Sequence, residues 1–325
     1  MTQKYNIYYT KLSIIFFSFL SLLEFTNFHK LKYKSFQIKT RKFTKNFEYH
    51  NYQREYLTEK IKKYAGYELT SNQAYFLNGI IRKFKPNHCL ELGVSRGGSS
   101  IIILNALKDI NNSFLVSLDI NENCYNNKNE KTGYAVNKYF PELAINKWQL
   151  FTGRQPHIFL SKLKMKFDFL FLDTVHYAPG EMINFIEVLP FLEENTIVVL
   201  HDIIFHLPSL NYYNQKDTKI HPSQIYLISS LIGEKIILAS KNNNIENIGA
   251  VILYPNQEKY YLNYFLLLLS PWNYLPNDTF IDELIKFVKT YYKKEIYISL
   301  FNRSIEENKL YIKKYEFLLR QFKKY

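Results

Sequence analysis

The chain has 325 residues, of which 47% are hydrophobic, and a formal net charge of +13. This composition is sufficient for one α/β domain with added helices and excludes a largely disordered protein. The positive charge is concentrated at the ends: residues 1–70 hold 13 Lys and Arg against 5 Asp and Glu, residues 286–325 hold 11 against 4, and residues 71–285 hold 18 against 20. Because the middle is nearly neutral, we expect no nucleic-acid partner.

Residues 1–69 are expected to form a basic, aromatic N-terminal extension with a short apolar segment at residues 12–23. The segment has about a dozen residues, whereas a spanning helix needs roughly twenty. Three interpretations stay open: a helix packed on the protein or a partner, an interfacial membrane helix supported by the basic residues that follow, and a signal peptide or anchor.

The two cysteines, Cys89 and Cys124, match no metal-ligand spacing and suit a reducing compartment. We therefore expect a cytoplasmic protein and leave open a peripheral membrane contact through the N-terminus.

Helical and strand patterns alternate from residue 70 to residue 255, which predicts a doubly wound sheet. Ser71 is the expected N-cap of the first helix. In chain order, the pattern predicts a helix at 72–84, strands at 88–92 and 114–118, a weak strand at 148–151, strands at 167–172 and 196–200, and last strands at 235–239 and 250–253. Helices are predicted between these strands at 99–107, within 121–147, at 158–163 and at 180–191.

Residues 256–325 are expected to form a helical C-terminal extension rich in aromatic residues. Its apolar side chains could make a homodimer contact or cover the sheet, and the sequence does not choose between these two roles.

The segment at residues 88–100 carries most of the functional information. A strand containing Glu91 is followed by a turn with Gly93, Gly97 and Gly98, and then by a helix. Dinucleotide sites use the spacing G-x-G-x-x-G, whereas the spacing here is G-x-x-x-G-G. A carboxylate beside the turn would repel a pyrophosphate and favour a cationic cofactor.

Four acidic residues come at or near the ends of predicted strands: Glu91, Asp119, Asp173 and Asp202. Ligands of open α/β sheets bind beyond the carboxyl ends of the strands. Asp119 follows Glu91 by 28 residues and is placed to accept the hydroxyl groups of a ribose. The four acids together therefore predict a nucleoside site.

Three segments resemble motifs of the class I S-adenosylmethionine-dependent methyltransferases, over about residues 70–255. Residues 91–99 resemble the first motif in the form E-x-G-x-x-x-G-G-S, residues 171–177 resemble the fourth motif, and residues 198–203 resemble the L-H-D ending of the fifth strand. The first of these forms is typical of the methyltransferase-24-like group of small-molecule and sugar O-methyltransferases. In three places the chain departs from the pattern: Thr174 and Asn195 stand where glycine is usual, and Tyr177 follows His176 directly.

The resemblance implies a Rossmann-like sheet of about seven strands with the last strand antiparallel. It also implies that S-adenosylmethionine is the cofactor and that residues around Thr152, Gly153 and Arg154 lie near the adenine. The implied cofactor-binding residues are Glu91, Gly93, Ser95, Gly97, Gly98, Ser99, Asp119, Ile120 and Asp173.

The expected chemistry is methyl transfer to a hydroxyl of a small molecule, a saccharide or a glycosylated metabolite. His176 is the candidate base, and Asp173 and Asp202 complete the candidate catalytic set. In the alternative with a metal, Asp173, Asp202 and His201 hold Mg²⁺. The aromatic and histidine side chains that could line an acceptor pocket are Tyr177, His206, Tyr212, Tyr213, His221, Trp272 and Tyr274.

Two other functions stay open. One is a non-catalytic, membrane-associated scaffold that retains the fold, and the other is an NAD-dependent oxidoreductase, which the glycine spacing and Glu91 disfavour.

Overall fold

A computed structural model describes residues 56–204, 221–239 and 245–322. The helices are α1 Glu59–Ala65, α2 Ser71–Phe84, α3 Gly98–Leu107, α4 Tyr134–Tyr139, α5 Pro141–Ala144, α6 Pro156–Leu163, α7 Gly180–Val188, α8 Ser223–Ser230, α9 Tyr261–Leu267, α10 Asp278–Tyr292 and α11 Glu295–Phe322. The strands are β1 His88–Leu92, β2 Phe114–Asp119, β3 Asn123–Cys124, β4 Asn127–Lys131, β5 Trp148–Thr152, β6 Phe167–Leu172, β7 Leu192–His201, β8 Gly233–Ala239 and β9 Ile245–Leu253. Short 3₁₀ helices cover Leu189–Phe191 and Gln257–Tyr260.

Seven strands form one sheet in the order β5-β2-β1-β6-β7-β9-β8. The pairs from β5 to β7 are parallel, and β9 is antiparallel to both of its neighbours. This arrangement confirms the predicted Rossmann-like sheet with an antiparallel last strand. The strand order reverses beside β1, because the chain runs from β1 through β2 to β5 and then crosses back to β6. Open sheets bind their ligands at such a reversal, outside the carboxyl ends of the strands.

The sheet is covered on both faces, since alternate side chains of a strand point to opposite sides. Leu90 and Leu92 of β1 belong to one apolar core, and Cys89 belongs to the other. On the Cys89 side, all ten residues of α3 are buried. A helix that is apolar all round is buried on all sides, and here α3 lies between the sheet and the helices α1 and α2.

Both predicted extensions contribute to these cores. Leu57 and Ile61 pack in the core on the α3 side, and Phe265 and Phe301 pack in the opposite core. Trp272 belongs to that second core as well: it is 1% exposed and its indole N–H donates to the carbonyl oxygen of Leu268 at 2.8 Å. Trp272 is therefore a core residue, one of the two roles that the sequence left open for this side chain. The domain boundaries at residues 70 and 255 stay predictions.

Two local features differ from the sequence prediction. The N-cap of α2 is Thr70 rather than Ser71: its hydroxyl accepts the N–H of Gln73, and the Gln73 side chain accepts the N–H of Thr70 in return. The polar segment after β2 forms the antiparallel hairpin β3–β4 before α4 begins. The hairpin is mostly exposed and polar, so it carries no alternating apolar pattern that would have revealed it.

Within these described residues, no helix is both long and apolar enough to cross a membrane. The apolar segment at residues 12–23 lies outside the described residues, as do His206, Tyr212 and Tyr213.

Candidate active site

The turn after β1 packs directly against the end of β6. Gly93 has φ +84°, and a Cβ on it would lie 1.7 Å from the carbonyl oxygen of Asp173. The N–H of Asp173 donates to the carbonyl oxygen of Leu92 at 2.9 Å, which holds the two strand ends together. Only glycine tolerates this combination of positive φ and close backbone approach. The turn therefore brings the residues after β1 and those after β6 into one crevice.

Asp119, at the end of β2, holds the other side of the turn. Its Oδ2 accepts the N–H groups of Val94 and Ser95 at 2.9 and 3.1 Å, and its Oδ1 accepts the N–H of Asn121 at 2.8 Å. The neighbouring Ile120 is 48% exposed. A carboxylate next to an exposed apolar side chain suits a ribose joined to a flat, apolar base.

Glu91 lies beneath the turn and is fully buried. Its two carboxylate oxygens accept the hydroxyl groups of Ser99, Ser100 and Ser117, each at 2.6 Å. Burial raises the pKa of Glu91 to about 7, although the three hydroxyl groups partly offset the rise. The carboxylate thus supports the turn from below, and Ser99 donates to it. A direct contact of either residue with a cofactor stays a prediction.

The ends of β6 and β7 bring together two histidines and two aspartates. Nε2 of His176 lies 3.0 Å from Oδ2 of Asp202 and 3.8 Å from Oδ1 of Asp173. Nδ1 of His201 lies 3.1 Å from Oδ2 of Asp173, close enough for ionic attraction. The sequence motifs predicted all four residues, and the fold places them together at the ends of β6 and β7, next to the switch point of the sheet.

Charges within this cluster shift the pKa values of its members. Burial by itself lowers the pKa of His176, but its hydrogen bond with Asp202 and the carboxylates of Glu181 and Asp173 raise it to about 11. Burial raises the pKa of Asp173, yet the two histidines outweigh this effect and the net pKa is lowered. The raised pKa favours the protonated imidazole of His176, whose Nε2 faces the Asp202 carboxylate.

Two residues that position the cluster were missed by the sequence analysis. Asn247 on β9 accepts the N–H of Ile204 through its side chain, donates its amide to the Asp202 carboxylate, and accepts the N–H of Asp202 on its own carbonyl. Glu181, fully buried on α7, accepts the N–H of Thr174 at 2.9 Å and lies 3.6 Å from Nδ1 of His176. Burial raises the pKa of Glu181 to about 7, while His176 and the Thr174 N–H oppose the rise.

A row of buried and half-buried polar side chains continues along α7 away from the cluster. The Thr174 hydroxyl donates to Asn184, the Asn184 amide donates to Glu187, and Glu187 lies 2.6 Å from Nδ1 of His157. Glu181, Asn184 and Glu187 are spaced three residues apart, so they share one helix face. Polar residues at this spacing in an otherwise apolar helix were the signal that could have revealed the row.

Two sets of side chains could hold a metal ion, and both include Asp173. One set adds His201 and Asp202, and the other adds His176 and Glu181. Within the described ranges, neither ring nitrogen of the buried His201 makes a well-aligned hydrogen bond. Two carboxylates and an imidazole suit a divalent cation that accepts both oxygen and nitrogen, whereas Mg²⁺ prefers oxygen alone.

The segment before α8 borders the cluster on its outer side. The carbonyl oxygen of His176 accepts the N–H of Ser223 at 3.0 Å, and Tyr177 pairs with Pro222. Nε2 of His221 lies 2.9 Å from the hydroxyl of Tyr311 on α11. The C-terminal helix thus reaches the region in which the acceptor pocket was expected.

Residues 90–203 match the sequence profile of a family described as a methyltransferase domain, the methyltransferase-24 family. The matched span begins within β1 and ends just after β7, so it contains the turn, Asp119 and the histidine–aspartate cluster. This span, about a third of the chain, therefore resembles a methyltransferase domain. The sequence-based assignment to this class is confirmed.

The methyltransferase domain is also similar to solved structures. The O-methyltransferase TomG from Streptomyces achromogenes, in complex with SAM, has 14% identity and a TM-score of 0.43, over 64% of this chain and 100% of that chain. An O-methyltransferase from Bacillus cereus has 16% identity and a TM-score of 0.44, over 62% and 91%. A putative caffeoyl-CoA O-methyltransferase from Staphylococcus aureus has 14% identity and a TM-score of 0.43, over 60% and 91%. No curated protein gives a significant sequence match.

Replacing Glu91 by Gln should remove a pH dependence of stability. The pKa of Glu91 rises from 4.5 in the unfolded chain to about 7 in the folded one. The stability that the neutral carboxyl contributes is therefore fully present below pH 4.5 and is lost as the pH rises through about 7, by up to about 3 kcal/mol. Denaturant unfolding from pH 4.5 to pH 8 should show this loss for the wild type relative to Glu91→Gln.

Glu194→Gln, an exposed residue on β7, is the matched control and should follow the wild-type pH profile. A constant difference between wild type and Glu91→Gln across this pH range would contradict the raised pKa.

Proposed function

We propose that the chain transfers a methyl group from S-adenosylmethionine to a hydroxyl of a small-molecule acceptor, a saccharide or a glycosylated metabolite. The observation that carries this proposal is the convergence of three features at one crevice. The glycine turn after β1, the carboxylate of Asp119 after β2, and the histidine–aspartate cluster after β6 and β7 all lie at the carboxyl ends of the strands.

The residues on the β1–β2 side fit the methyl donor. Asp119 has the position and the oxygens to accept ribose hydroxyl groups, and Ile120 offers an exposed apolar surface to the adenine. The turn with Gly93 lies directly on the end of β6, so the donor side of the crevice borders the acceptor side. S-adenosylmethionine supplies a methyl group on a sulfonium, and a crevice bordered by Asp119, Asp173 and Asp202 suits a positively charged ligand.

The residues on the β6–β7 side fit the hydroxyl acceptor. A neutral hydroxyl is a poor nucleophile, so its proton must be taken up as the methyl group transfers. The His176–Asp202 pair lies at this edge and both its members are partly exposed. Because the pKa of His176 is about 11, the pair must first lose its proton. The positive charge of the bound methyl donor, next to Asp173 and Asp202, lowers that pKa and makes the imidazole available as a base.

A divalent cation held by Asp173, His201 and Asp202 is the second arrangement that the cluster supports. Such a cation would orient the acceptor hydroxyl and favour its deprotonated form. The same ion would separate Asp202 from His176, so the two arrangements compete for one carboxylate.

A saccharide acceptor is supported by the mixture of carboxylates and aromatic side chains near the cluster. Tyr274 is 36% exposed, and burial together with the charges of Glu181 and Glu187 raises its pKa to about 12. Tyr177 lies next to His176 in the same loop. Aromatic faces and acidic groups suit the two faces and the hydroxyl groups of a sugar ring. A homodimer, a cytoplasmic location and a peripheral membrane contact are further proposals that rest on the sequence alone.

Removing the Asp119 carboxylate should abolish donor binding. Asp119→Ala takes away the acceptors for the ribose hydroxyl groups and loosens the turn at Val94 and Ser95, so the affinity for S-adenosylhomocysteine should fall by about 100-fold or more. Isothermal titration calorimetry gives this affinity directly. NAD should not bind the wild type.

Asp109→Ala, an exposed carboxylate paired with Arg82, is the control and should keep the wild-type affinity. Unchanged affinity in Asp119→Ala, or tighter binding of NAD than of S-adenosylhomocysteine, would refute the proposed donor site.

Replacing His176 by Gln should slow methyl transfer and leave donor binding intact. Loss of a general base lowers the rate by about 100-fold to 10,000-fold. The measurement is transfer of a labelled methyl group to a panel of sugars and glycosides, with the S-adenosylhomocysteine affinity determined in parallel. His88→Gln, at the opposite end of β1, should transfer methyl groups at the wild-type rate. Equal rates in His176→Gln and wild type would exclude His176 as the base.

Metal dependence distinguishes the two arrangements of the cluster. If Asp173, His201 and Asp202 hold a divalent cation, the protein should contain about one such ion per chain by elemental mass spectrometry. His201→Ala should lose it, and a chelator should abolish methyl transfer until Mn²⁺, which accepts both oxygen and nitrogen ligands, is added back. Full activity in the presence of chelator would leave the His176–Asp202 pair as the sole base.

A further inference from the structure

Glu68 reaches the glycine turn from outside the matched methyltransferase domain. It lies in the short connection between α1 and α2, 30 residues before Gly98. Its Oε1 accepts the N–H of Arg96 at 2.9 Å, and its Oε2 accepts the N–H of Gly98 at 2.7 Å. A Cβ on Gly98 would lie 2.4 Å from that Oε2. The second glycine of the Gly97–Gly98 pair therefore makes room for the Glu68 carboxylate.

The carboxylate of Glu68 is part of the electrostatic environment of the crevice. Burial raises its pKa, the N–H groups of Arg96 and Gly98 and the hydroxyl of Ser95 oppose that rise, and the charge of Asp173 adds to it. The Glu68 carboxylate, which contacts the start of α3, and the Asp173 carboxylate, at the end of β6, are thus close enough to interact electrostatically. Burial is the largest cause of a raised pKa at Tyr125 in the β3–β4 hairpin, and the charges of Glu68 and Asp173 add to that rise.

The negative charges of Glu68 and Asp173 determine which charged group of the donor's amino acid part can bind near the turn. N–H groups at the start of a helix usually receive an anion. Here a protein carboxylate already takes the first N–H of α3, that of Gly98, and the N–H of Arg96 just before the helix. A second carboxylate at this place would face Glu68 and Asp173 and be repelled. An ammonium group would be attracted by both.

We propose that Glu68 binds the α-ammonium group of the methyl donor. S-adenosylmethionine carries that group at the far end of its methionine part, on the side of the sulfonium away from the adenosine. Glu68 would then fix the amino acid end of the donor, while Asp119 fixes the ribose end. This role rests on the proposed function, and it gives the segment before α2 a part in donor binding.

Three ligands separate an ammonium contact from a general effect on the turn. S-adenosylhomocysteine carries both the ammonium and the carboxylate, 5′-deoxy-5′-(3-aminopropylthio)adenosine carries the amine alone, and 5′-methylthioadenosine carries neither. Glu68→Gln removes the charge and keeps the size of the side chain. In calorimetry, it should weaken binding of the two amine-bearing ligands by about 10-fold or more and change the affinity for methylthioadenosine by less than about twofold.

The matched control is Glu59→Gln on α1, an exposed carboxylate paired with Lys62, which should change none of the three affinities. Equal weakening of all three ligands in Glu68→Gln would show that Glu68 only supports the turn. Unchanged affinities would place the ammonium elsewhere. Failure of the wild type to bind any of the three would contradict the proposed function instead.

Thermal unfolding shows whether Glu68→Gln is folded. Should it not fold, Gly98→Ala provides the same comparison. The added Cβ displaces the Glu68 carboxylate from the turn, while Glu68 keeps its charge. The expected result is again a selective loss for the two amine-bearing ligands, and an equal loss for all three would overturn the proposal.

Discussion

The close approach of Gly93 to the backbone of Asp173 is the constraint on which the rest of the site depends. Because no Cβ separates them, the turn after β1 lies directly on the end of β6. One side of the turn is then fixed by the carboxylate of Asp119 and the other by that of Glu68. The nucleoside side and the histidine–aspartate side of the crevice thereby become neighbours, as a transfer reaction between two bound molecules requires.

Carboxylates are concentrated around this crevice, and each is stabilised in a different way. Glu91 is surrounded by three serine hydroxyl groups, Asp119 and Glu68 accept backbone N–H groups, and Asp173 lies beside two histidines. Buried charges are tolerated only when paired or hydrogen-bonded. The supporting groups come from α3, β2, β7 and the loops after β1 and β6, so several elements around the crevice together maintain a local negative potential suited to a cationic donor.

The sequence predicted the parts of the site that follow directly from strand ends. A parallel sheet brings the carboxyl ends of its strands to one edge. The sequence therefore predicted that the residues at or just after the ends of apolar strands lie together, namely Glu91, Asp119, Asp173, His201 and Asp202. Asn247 and Glu68 were not found, because each acts on a backbone N–H or a side chain far away in the chain. Glu181 contacts Thr174 and His176, which are close in sequence, and only the polar spacing on α7 could have indicated it. The buried position of Trp272 was equally inaccessible, since an aromatic residue suits a pocket wall and a core alike.

The sequence by itself determined the alternation of elements, the glycine turn and the identity of the acidic and histidine residues, because these depend on local patterning and spacing. Only the tertiary structure decided what each of these residues touches. It turned Glu91 inward to the serines, placed His176 against Asp202, and folded the helices before β1 and after β9 into the two cores. Contacts such as Glu91–Ser117 and His176–Asp202, each between residues 26 positions apart, depend on how the sheet and helices pack, and no local pattern in the chain encodes that packing.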